Sequence, residues 1–496
     1  MKGKVVLIQP KNTLSINIYP PLNLIKLGSV LQREGYKVKI MAAPTIKRPI
    51  EMIMEECQDA MMVGIGVLTA EMPSAIRIAK SIKEKYQLPI VWGGWHATLF
   101  PEQMAASNIV DKVVVDEGDE LIIEIADSYK DNEYNKEINN GEKILRNRNK
   151  LNMELLPVPD YRLVSNIEHY INLPLTDKFV EYEDRAIRWL PYEASRGCPS
   201  KCSFCINVVT GNRMYRRKSA RKVVDEIESI VEKFDINHLK IIDDNFFVNV
   251  EWVKEIAKGI IDRNLGISWD GECRVNYFND KHVNDECLEL CVRSGLNELN
   301  FGIESGSQRS LDIMKKEITP SQSLSTVSIS SKHGIVSRCS FIIDVPGEKK
   351  EDIFKTVQLI NKIRVIPKTT CGVHTYRPYP KSELCEELLA RGVISQPTTL
   401  EGWEKKEFVE QFTYTDARRK WQKNYNISNK ISFYQCLESG FWLKPHQIHN
   451  SFISKINSFF MKIASLRNLT VFYRFTIDRY LYVLFRNLFY KFQEWR

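Results

Sequence analysis

Long apolar runs are missing from this chain of 496 residues. No stretch approaches the ~18 uninterrupted apolar residues of a membrane span, which excludes a helical membrane protein. No secretory leader is recognisable either: Met1-Lys2-Gly3-Lys4 runs straight into Val5-Val6-Leu7-Ile8, far too short for the apolar region of a signal peptide. A reducing, cytoplasmic setting is expected, in which the eleven cysteines are core residues or metal ligands and not disulfides. Histidine is scarce, eight in all and none before His96, so the first part of the chain has no imidazole to offer a metal. The fingerprint Gly-x-Gly-x-x-Gly that seats a dinucleotide on a first helix is also missing. A net charge of +8 is modest for this length and makes no case for nucleic acid. What is present is the balance of a globular protein, 43% hydrophobic and 27% charged. The chain is too long for one core and is expected to form about two or three domains.

The first ~130 residues alternate short apolar runs with helical patterns, which predicts a parallel α/β sheet. Strands are expected at Val5–Gln9, Lys37–Met41, Met62–Val67, Ile90–Gly93 and Lys112–Val115. A first helix carries Leu24, Leu27, Val30 and Leu31 on one face and is entered through Pro20-Pro21. Residues 130–150 are polar and rich in Asn and Lys, as a linker or exposed loop is. A second βα series follows, with strands expected at Tyr192–Ser195, Leu239–Asp244, Ile267–Arg274, Glu298–Ile303, Arg338–Asp344 and Cys371–Tyr376. Six βα units are too few to close an eight-stranded barrel, so an open partial (β/α)6 barrel is expected. The predicted organisation is α/β throughout: a doubly wound parallel-sheet domain at 1–135, a linker at 136–190, the partial barrel at 191–380 and a mostly helical region at 381–496.

The most informative stretch is Ser195-Arg196-Gly197-Cys198-Pro199-Ser200-Lys201-Cys202-Ser203-Phe204-Cys205. Thiolate is a soft ligand suited to iron–sulfur clusters and to zinc. Three cysteines this close, just beyond a predicted strand, can wrap one metal centre and leave a coordination position open to substrate. A zinc site completed by a distant histidine is the bland alternative. At these residues the chain resembles the radical S-adenosylmethionine (radical SAM) superfamily, and the resemblance continues in Ile242-Asp243-Asp244-Asn245-Phe246, Gly302-Ile303-Glu304-Ser305-Gly306-Ser307 and Ile343-Asp344-Val345-Pro346-Gly347-Glu348. It implies a 4Fe–4S cluster held by Cys198, Cys202 and Cys205, whose fourth iron chelates S-adenosylmethionine. It also makes Phe204 and Asp244 candidates for contact with that cofactor.

Alternation along the strands adds two more candidates without the family. In the third strand of this series Ser268, Asp270, Glu272 and Arg274 point one way and Ile267, Trp269 and Cys273 the other; in the fourth, Asn300, Gly302 and Glu304 oppose Leu299, Phe301 and Ile303. A sheet covered outside by helices turns its polar face inward. Arg274 and Glu304 are therefore candidates to contact the nucleotide and methionine moieties, unless they form a structural salt bridge. His374 and Tyr376 are expected to face the same cavity. The other eight cysteines, Cys287 and Cys291 on one helical face among them, fit core packing.

In the first domain the glycines fall late, at Gly64-Ile65-Gly66-Val67-Leu68-Thr69, Gly93-Gly94-Trp95-His96-Ala97-Thr98 and Glu117-Gly118-Asp119. Glycines at the carboxyl ends of parallel strands let a ligand approach the backbone; tight strand-to-helix turns would use them too. The opening Pro20-Pro21-Leu22-Asn23-Leu24, the Val63-Gly64-Ile65-Gly66 segment and the Gly93-Gly94-x-His96-x-Thr98 loop resemble the cobalamin-binding domains fused ahead of radical SAM barrels. The resemblance makes Leu68, Thr69, Gly93, Gly94, His96 and Gly118 the cofactor-binding candidates. It departs at Gly66, where a serine is usual, and in lacking the D-x-H-x-x-G histidine that ligates cobalt from below. Cobalamin is therefore expected base-off with no histidine, or else the domain has kept the fold and lost the cofactor.

The two resemblances together imply a cobalamin-dependent radical SAM methyltransferase. Cob(I)alamin takes a methyl group from one S-adenosylmethionine, the deoxyadenosyl radical from a second removes a substrate hydrogen, and the carbon radical collects the methyl. The alternative uses the same cofactors for cyclisation, rearrangement or C–C coupling without net methylation. An RNA-modifying methylthiotransferase would carry further cluster cysteines ahead of the triad, where only Cys57 stands; a cobalamin sensor would have no use for the triad. The implied partners are a small-molecule or lipid-like substrate and an electron donor such as flavodoxin or ferredoxin, with no nucleic acid. From Phe441 to Arg496 nine Lys/Arg stand against Asp478 and Glu494, with aromatics interleaved. That pattern fits either a helix packed on the barrel or a peripheral membrane-surface helix beside the cytoplasmic setting.

Overall fold

The computed structural model describes residues 2–11, 19–45, 48–130, 142–147, 151–173, 187–210, 213–405, 407–408, 419–438, 451–473 and 477–494. The chain divides into two compact units, one of residues 1–272 with 293–296 and 378–415, the other of residues 273–292 with 297–377 and 416–496.

The first unit begins with β1 (Lys4–Gln9), β2 (Lys37–Ala42), β3 (Met62–Gly66), β4 (Ile90–Gly93), β5 (Lys112–Val115) and β6 (Ile144–Arg146). They form one parallel sheet in the order β2-β1-β3-β4-β5-β6. Val5, Val6, Leu7, Ile8, Val113, Val114 and Val115 are all buried, as strands covered by helices on both faces require. The helix Leu22–Arg33 turns Leu24, Ile25, Val30 and Leu31 inward, and Met72–Tyr86 does the same with Ala75, Ile76, Ala79 and Ile82. Strand order reverses between β1 and β3, so the binding crevice of this doubly wound sheet opens at their carboxyl ends. β6 corrects the expectation of a loop over 130–150: three residues carry no periodicity of their own, and the strand exists because Ile144–Arg146 pairs with Val113–Val115. Residues 378–415 also belong to this unit, where Leu400, Trp403 and Phe408 join the same core as Val63, Ile76 and Trp92.

The second sheet has six strands, β7 (Trp189–Tyr192), β10 (His238–Ile241), β11 (Ser268–Glu272), β12 (Leu296–Glu304), β13 (Val336–Ile343) and β14 (Thr369–Thr375). Between β7 and β10 a small ribbon pairs β8 (Ser195–Arg196) with β9 (Arg216–Arg217). The large sheet is open, in the order β14-β13-β12-β11-β10-β7. Its helices are capped as their sequences direct: Ser219 accepts from the Lys222 amide at 3.2 Å to start Ala220–Phe234, and Asn249 from the Trp252 amide at 2.9 Å to start Val250–Asp262.

Two strand boundaries differ from expectation for one physical reason. β7 ends at Tyr192 and does not continue to Ser195, and β10 ends at Ile241 and does not continue to Asp244. The Ala194 amide donates to Asp243 Oδ1 (2.8 Å) and the Ser195 hydroxyl to Asp243 Oδ2 (2.5 Å), which takes both segments out of the ladder.

The chain closes in helices Tyr425–Glu438, Ser451–Thr470 and Ile477–Glu494. The last two are tied by the Arg467–Asp478 ion pair at 2.5 Å, and the Tyr434 hydroxyl donates to Asp478 at 3.0 Å. Among the described residues no helix is long and apolar enough to cross a membrane.

Candidate active site

A cavity of about 770 Å³ lies in the first unit, at the carboxyl ends of β1, β3, β4 and β5. Its floor is short of side chains, because Gly64, Gly66, Gly93, Gly94 and Gly118 all line it. At Gly94 φ is +92°, and a Cβ would stand 2.8 Å from the Val67 carbonyl oxygen. Only glycine lets the turn after β4 run this close to β3. Gly93 is different: the nearest atom to a Cβ would be 3.9 Å away on Val114, so the room in front of it belongs to the cavity. Leu68 projects into that room at 40% exposure. Beneath it Glu71 accepts from the Leu68 amide at 2.8 Å, and burial pushes its carboxyl up to about 7. The broad, glycine-lined floor fits a large flat cofactor such as the corrin of cobalamin.

The opposite wall of the same cavity includes Glu193, Arg196, Gly197, Asn207 and Asp244. These residues frame the loop of three cysteines. Gly197 takes φ +86° against the Met214 carbonyl, where no side chain fits. Its amide donates to Asp244 Oδ2 at 3.1 Å, while Asn207 donates to Asp244 Oδ1 at 2.6 Å, so one carboxylate ties both flanks of the loop. Asn245 Nδ2 donates to Cys198 Sγ at 3.6 Å, and the Cys205 amide to the Cys202 carbonyl at 3.2 Å. All three cysteines are free of disulfides; Cys202 is buried and the other two half-buried. Burial pushes the Cys205 thiol up to about 11, and Cys202, Asp244 and Cys198 add to it, so its thiolate needs a cation beside it. Among the described residues no three His, Cys, Asp or Glu side chains converge as ligands of a single metal ion. The thiolates of a 4Fe–4S cluster each take a different iron, so a cluster does not require the three to meet on one ion.

A half-buried ion network joins the two walls. Arg196, next to the cluster loop, donates to Glu117 (3.0 Å), to both oxygens of Asp119 (2.9 and 3.1 Å) and to Glu193 (2.8 Å). Arg216 holds Glu117 from the other side at 2.6 Å, and Lys26 holds Glu193 at 2.5 Å. Three cations thus meet three carboxylates. Burial works to raise the Glu193 carboxyl, but Lys26 and Arg196 outweigh it and bring it down to about 2. The same arginine holds Asp119 below its ordinary value against burial.

The sequence-predicted residues fall into several places, and Cys198, Cys202 and Cys205 are not themselves among the lining residues of the cavity. Leu68, Gly93, Gly94, Gly118 and Asp244 line the cavity. Phe204 is half-buried between Cys202 and Cys205. Thr69 and His96 are not among the lining residues: His96 is fully buried, bonds Thr69 Oγ1 through Nδ1 at 3.1 Å and packs against Phe100 and Trp403 with ring centroids 5.0 and 4.9 Å away. In the second unit Arg274 and Glu304 come together around one residue. Lys316 Nζ bonds Glu304 Oε1 at 2.8 Å, and its carbonyl accepts from the Arg274 guanidinium. Glu304 has φ +65° where the β12–β13 register shifts, and Asp344 has φ +60° just past β13; strained backbone of this kind collects at ligand sites. His374 stands exposed on β14, whereas Tyr376 is buried and rests edge-on against Trp421. Glu71, Lys26 and the Arg196 network carry no motif that singles them out. The signal for Arg196 is its position two residues before Cys198.

Comparison with known proteins agrees with this geometry. Residues 192–360 match the family model of the radical SAM superfamily, and residues 15–126 that of the B12 binding domain. The chain is 29% identical over 481 residues to an uncharacterized methyltransferase of Pyrococcus horikoshii, covering 91% of this chain and 96% of that one. It is 26% identical over 387 residues to the anaerobic magnesium-protoporphyrin IX monomethyl ester cyclase of Rubrivivax gelatinosus, covering 75% and 66%. The solved structure of the cobalamin-dependent S-adenosylmethionine radical enzyme OxsB, with aqua-cobalamin and S-adenosylmethionine bound, superposes with a TM-score of 0.65 at 18% identity, over 95% of this chain and 72% of that one, which speaks for the fold. The chain belongs to the cobalamin-dependent radical SAM enzymes, whose cofactors are a 4Fe–4S cluster, S-adenosylmethionine and cobalamin.

Proposed function

We propose that this enzyme transfers a methyl group to an unactivated carbon of a small-molecule or lipid-like substrate. The observation that carries the proposal is the shared cavity, with the glycine floor of the first sheet on one side and, on the other, Arg196, Gly197, Asn207 and Asp244, which flank the cysteine loop. When bound, the cluster with S-adenosylmethionine supplies hydrogen-atom abstraction, and cobalamin supplies a transferable methyl group. The chain's own part is to bind and orient. Gly93 leaves room for the corrin, Gly94 lets the turn after β4 run close to β3, Asp244 and Gly197 fix the cysteine loop, and the Arg196 network sets the distance between the walls. Low-potential electrons come from a small carrier such as flavodoxin or ferredoxin, since radical SAM enzymes need a reductant. Full-length likeness to a protein named as a methyltransferase supports the same reaction.

Likeness to the cyclase favours a second reading, ring formation or C–C coupling without net methylation. Both are tested by incubating the anaerobically reconstituted enzyme with methyl-deuterated S-adenosylmethionine, a reductant and extract of a deletion strain. Methyl transfer gives a labelled product together with S-adenosylhomocysteine and 5′-deoxyadenosine in equal amounts. Deoxyadenosine without S-adenosylhomocysteine or added methyl mass overturns it in favour of the second reading.

A further inference from the structure

Among the described residues, the outer faces of the last two helices carry exposed apolar side chains. In Ser451–Thr470 the buried positions are Asn457, Phe460, Ala464 and Asn468. On the opposite side Lys455, Phe459, Lys462, Leu466 and Leu469 are exposed, and at about 100° per residue they fall within a stripe roughly 80° wide. In Ile477–Glu494 the pattern repeats: Asp478 and Tyr482 are buried, while Ile477, Tyr480, Leu481 and Leu484 are exposed on one face, Tyr480 by 75%. Eight of the twenty-one exposed large hydrophobic side chains among the described residues lie between Phe459 and Leu484. This clustering is a patch and not ordinary surface scatter.

Charge says what covers the patch. The segment from Phe441 to Arg496 has nine Lys/Arg and two acidic residues, and the Arg467–Asp478 pair removes one of each, leaving eight against one. Lys455 and Lys462 stand inside the apolar stripe itself. Lysine is depleted from the cores of protein interfaces, whereas a lysine among Phe and Leu can lay its stem on apolar surface and lift its ammonium to a phosphate. We propose that this face docks on the surface of an anionic lipid bilayer, with the Phe and Leu side chains at the headgroup boundary and the lysines on lipid phosphates. No described helix can span the bilayer, so the contact is peripheral. The proposal stands apart from the reaction assigned above.

The test is co-sedimentation of the full-length protein with vesicles of equimolar phosphatidylcholine and phosphatidylglycerol, and with phosphatidylcholine alone. The protein pellets with the anionic vesicles, weakly with neutral ones, and less as salt rises. Lys455→Gln with Lys462→Gln weakens partition onto anionic vesicles roughly thirty-fold, at about 1 kcal/mol for each basic residue. Leu466→Ser with Leu481→Ser and Leu484→Ser abolishes it. Both sets lie on exposed faces, and an unchanged Tm verifies that each variant is folded; should the serine variant unfold, the lysine variant decides alone. The proposal is overturned if the wild type ignores anionic vesicles or binds neutral ones as well. It is also overturned if the folded variants pellet like the wild type, or if the wild type is a dimer without vesicles that the leucine substitutions dissociate.

Discussion

The two walls of the cavity solve different problems with different chemistry. On the side of the first sheet the residues that matter are glycines, Gly93 contributing space and Gly94 a turn that runs close to β3. On the side of the cysteine loop they are Glu193, Arg196, Asn207 and Asp244, which contribute charge and hydrogen bonds. A bulky, rigid cofactor brings its own shape and needs side chains out of its way. A cluster made by three cysteines has no site until the loop itself is held, and each thiolate's charge must be tolerated where water is sparse. One wall is therefore sensitive to added atoms and the other to removed ones.

The largest effect is expected where atoms are removed from the cluster wall. Replacing Cys198, Cys202 and Cys205 together by Ala takes the reconstituted protein from about four irons per chain to none and abolishes S-adenosylmethionine cleavage, read by iron analysis and by deoxyadenosine. A triple variant that kept its iron would break the comparison at its base.

Arg196→Ala should come next. It leaves the buried Asp119 and the half-buried Glu117 and Glu193 with two cations where there were three. Removing one partner of a buried pair costs about 3–5 kcal/mol, measured by denaturant unfolding at neutral pH. The pH dependence has a definite sign. Glu193 is held at about 2 in the folded protein, against an unfolded value of about 4.3. Its stabilisation is present above pH ~4.3 and is lost as pH falls toward 2. Without Arg196 the folded carboxyls rise, and the acid-unfolding limb moves to higher pH. Arg196→Lys restores the charge but not the two-pronged contact with Asp119, so it recovers only part of the loss.

On the glycine wall the two neighbours should separate. Gly93→Leu adds atoms to open space and leaves Tm nearly unchanged, but it fills the cavity. At an overpacking cost of about 1–3 kcal/mol, cobalamin binds roughly 5- to 150-fold more weakly, which equilibrium dialysis reads. Gly94→Ala instead lowers Tm itself, because its Cβ meets Val67 and its φ of +92° suits only glycine; the strain is worth about 1–3 kcal/mol. Equal behaviour of the two variants would show that the floor is built for turns and not for a ligand.

These contrasts also mark how far the sequence could be read. Both sheets, the cysteine loop and the glycine segments were legible, because each rests on local spacing: apolar runs, three cysteines within one loop, glycines just past strands. Arg196 lies in the cysteine segment, yet its partners Glu117 and Asp119 stand about 80 positions away, and no local period announces a long-range ion pair. β6 was illegible for the same reason, since it forms by pairing with β5 and by packing Ile144 on a core built elsewhere in the chain. The ends of β7 and β10 were misplaced because Asp243 is a side chain competing with the ladder, which hydrophobic alternation does not register.

His96 is where the smallest effect is expected, and where the comparison between walls is sharpened most. It sits in the glycine segment, so its sequence position points to the cofactor, but its side chain turns away from the cavity into the space between Thr69, Phe100 and Trp403. Burial takes its imidazole down to about 3, so the ring is neutral at every working pH, and its Nε2 is buried without a partner. A phenylalanine conserves most of the volume and removes that orphan nitrogen while losing the Thr69 bond, so His96→Phe should change stability by less than about 1.5 kcal/mol. The sign with pH follows from the lowered value. An unfolded histidine takes up a proton below pH ~6.5 while the folded one refuses it until about 3, so the wild type loses stability across that window and the variant lacks this part of the loss. For the cofactor the expected outcome is no change at all. Electron paramagnetic resonance of the cob(II)alamin form should show no nitrogen superhyperfine splitting in the wild type, since no histidine precedes His96 and His96 does not line the cavity. The spectrum of His96→Phe should overlay it. Splitting in the wild type that vanishes in the variant would place the imidazole on cobalt and require the β4 turn to rearrange when cobalamin binds.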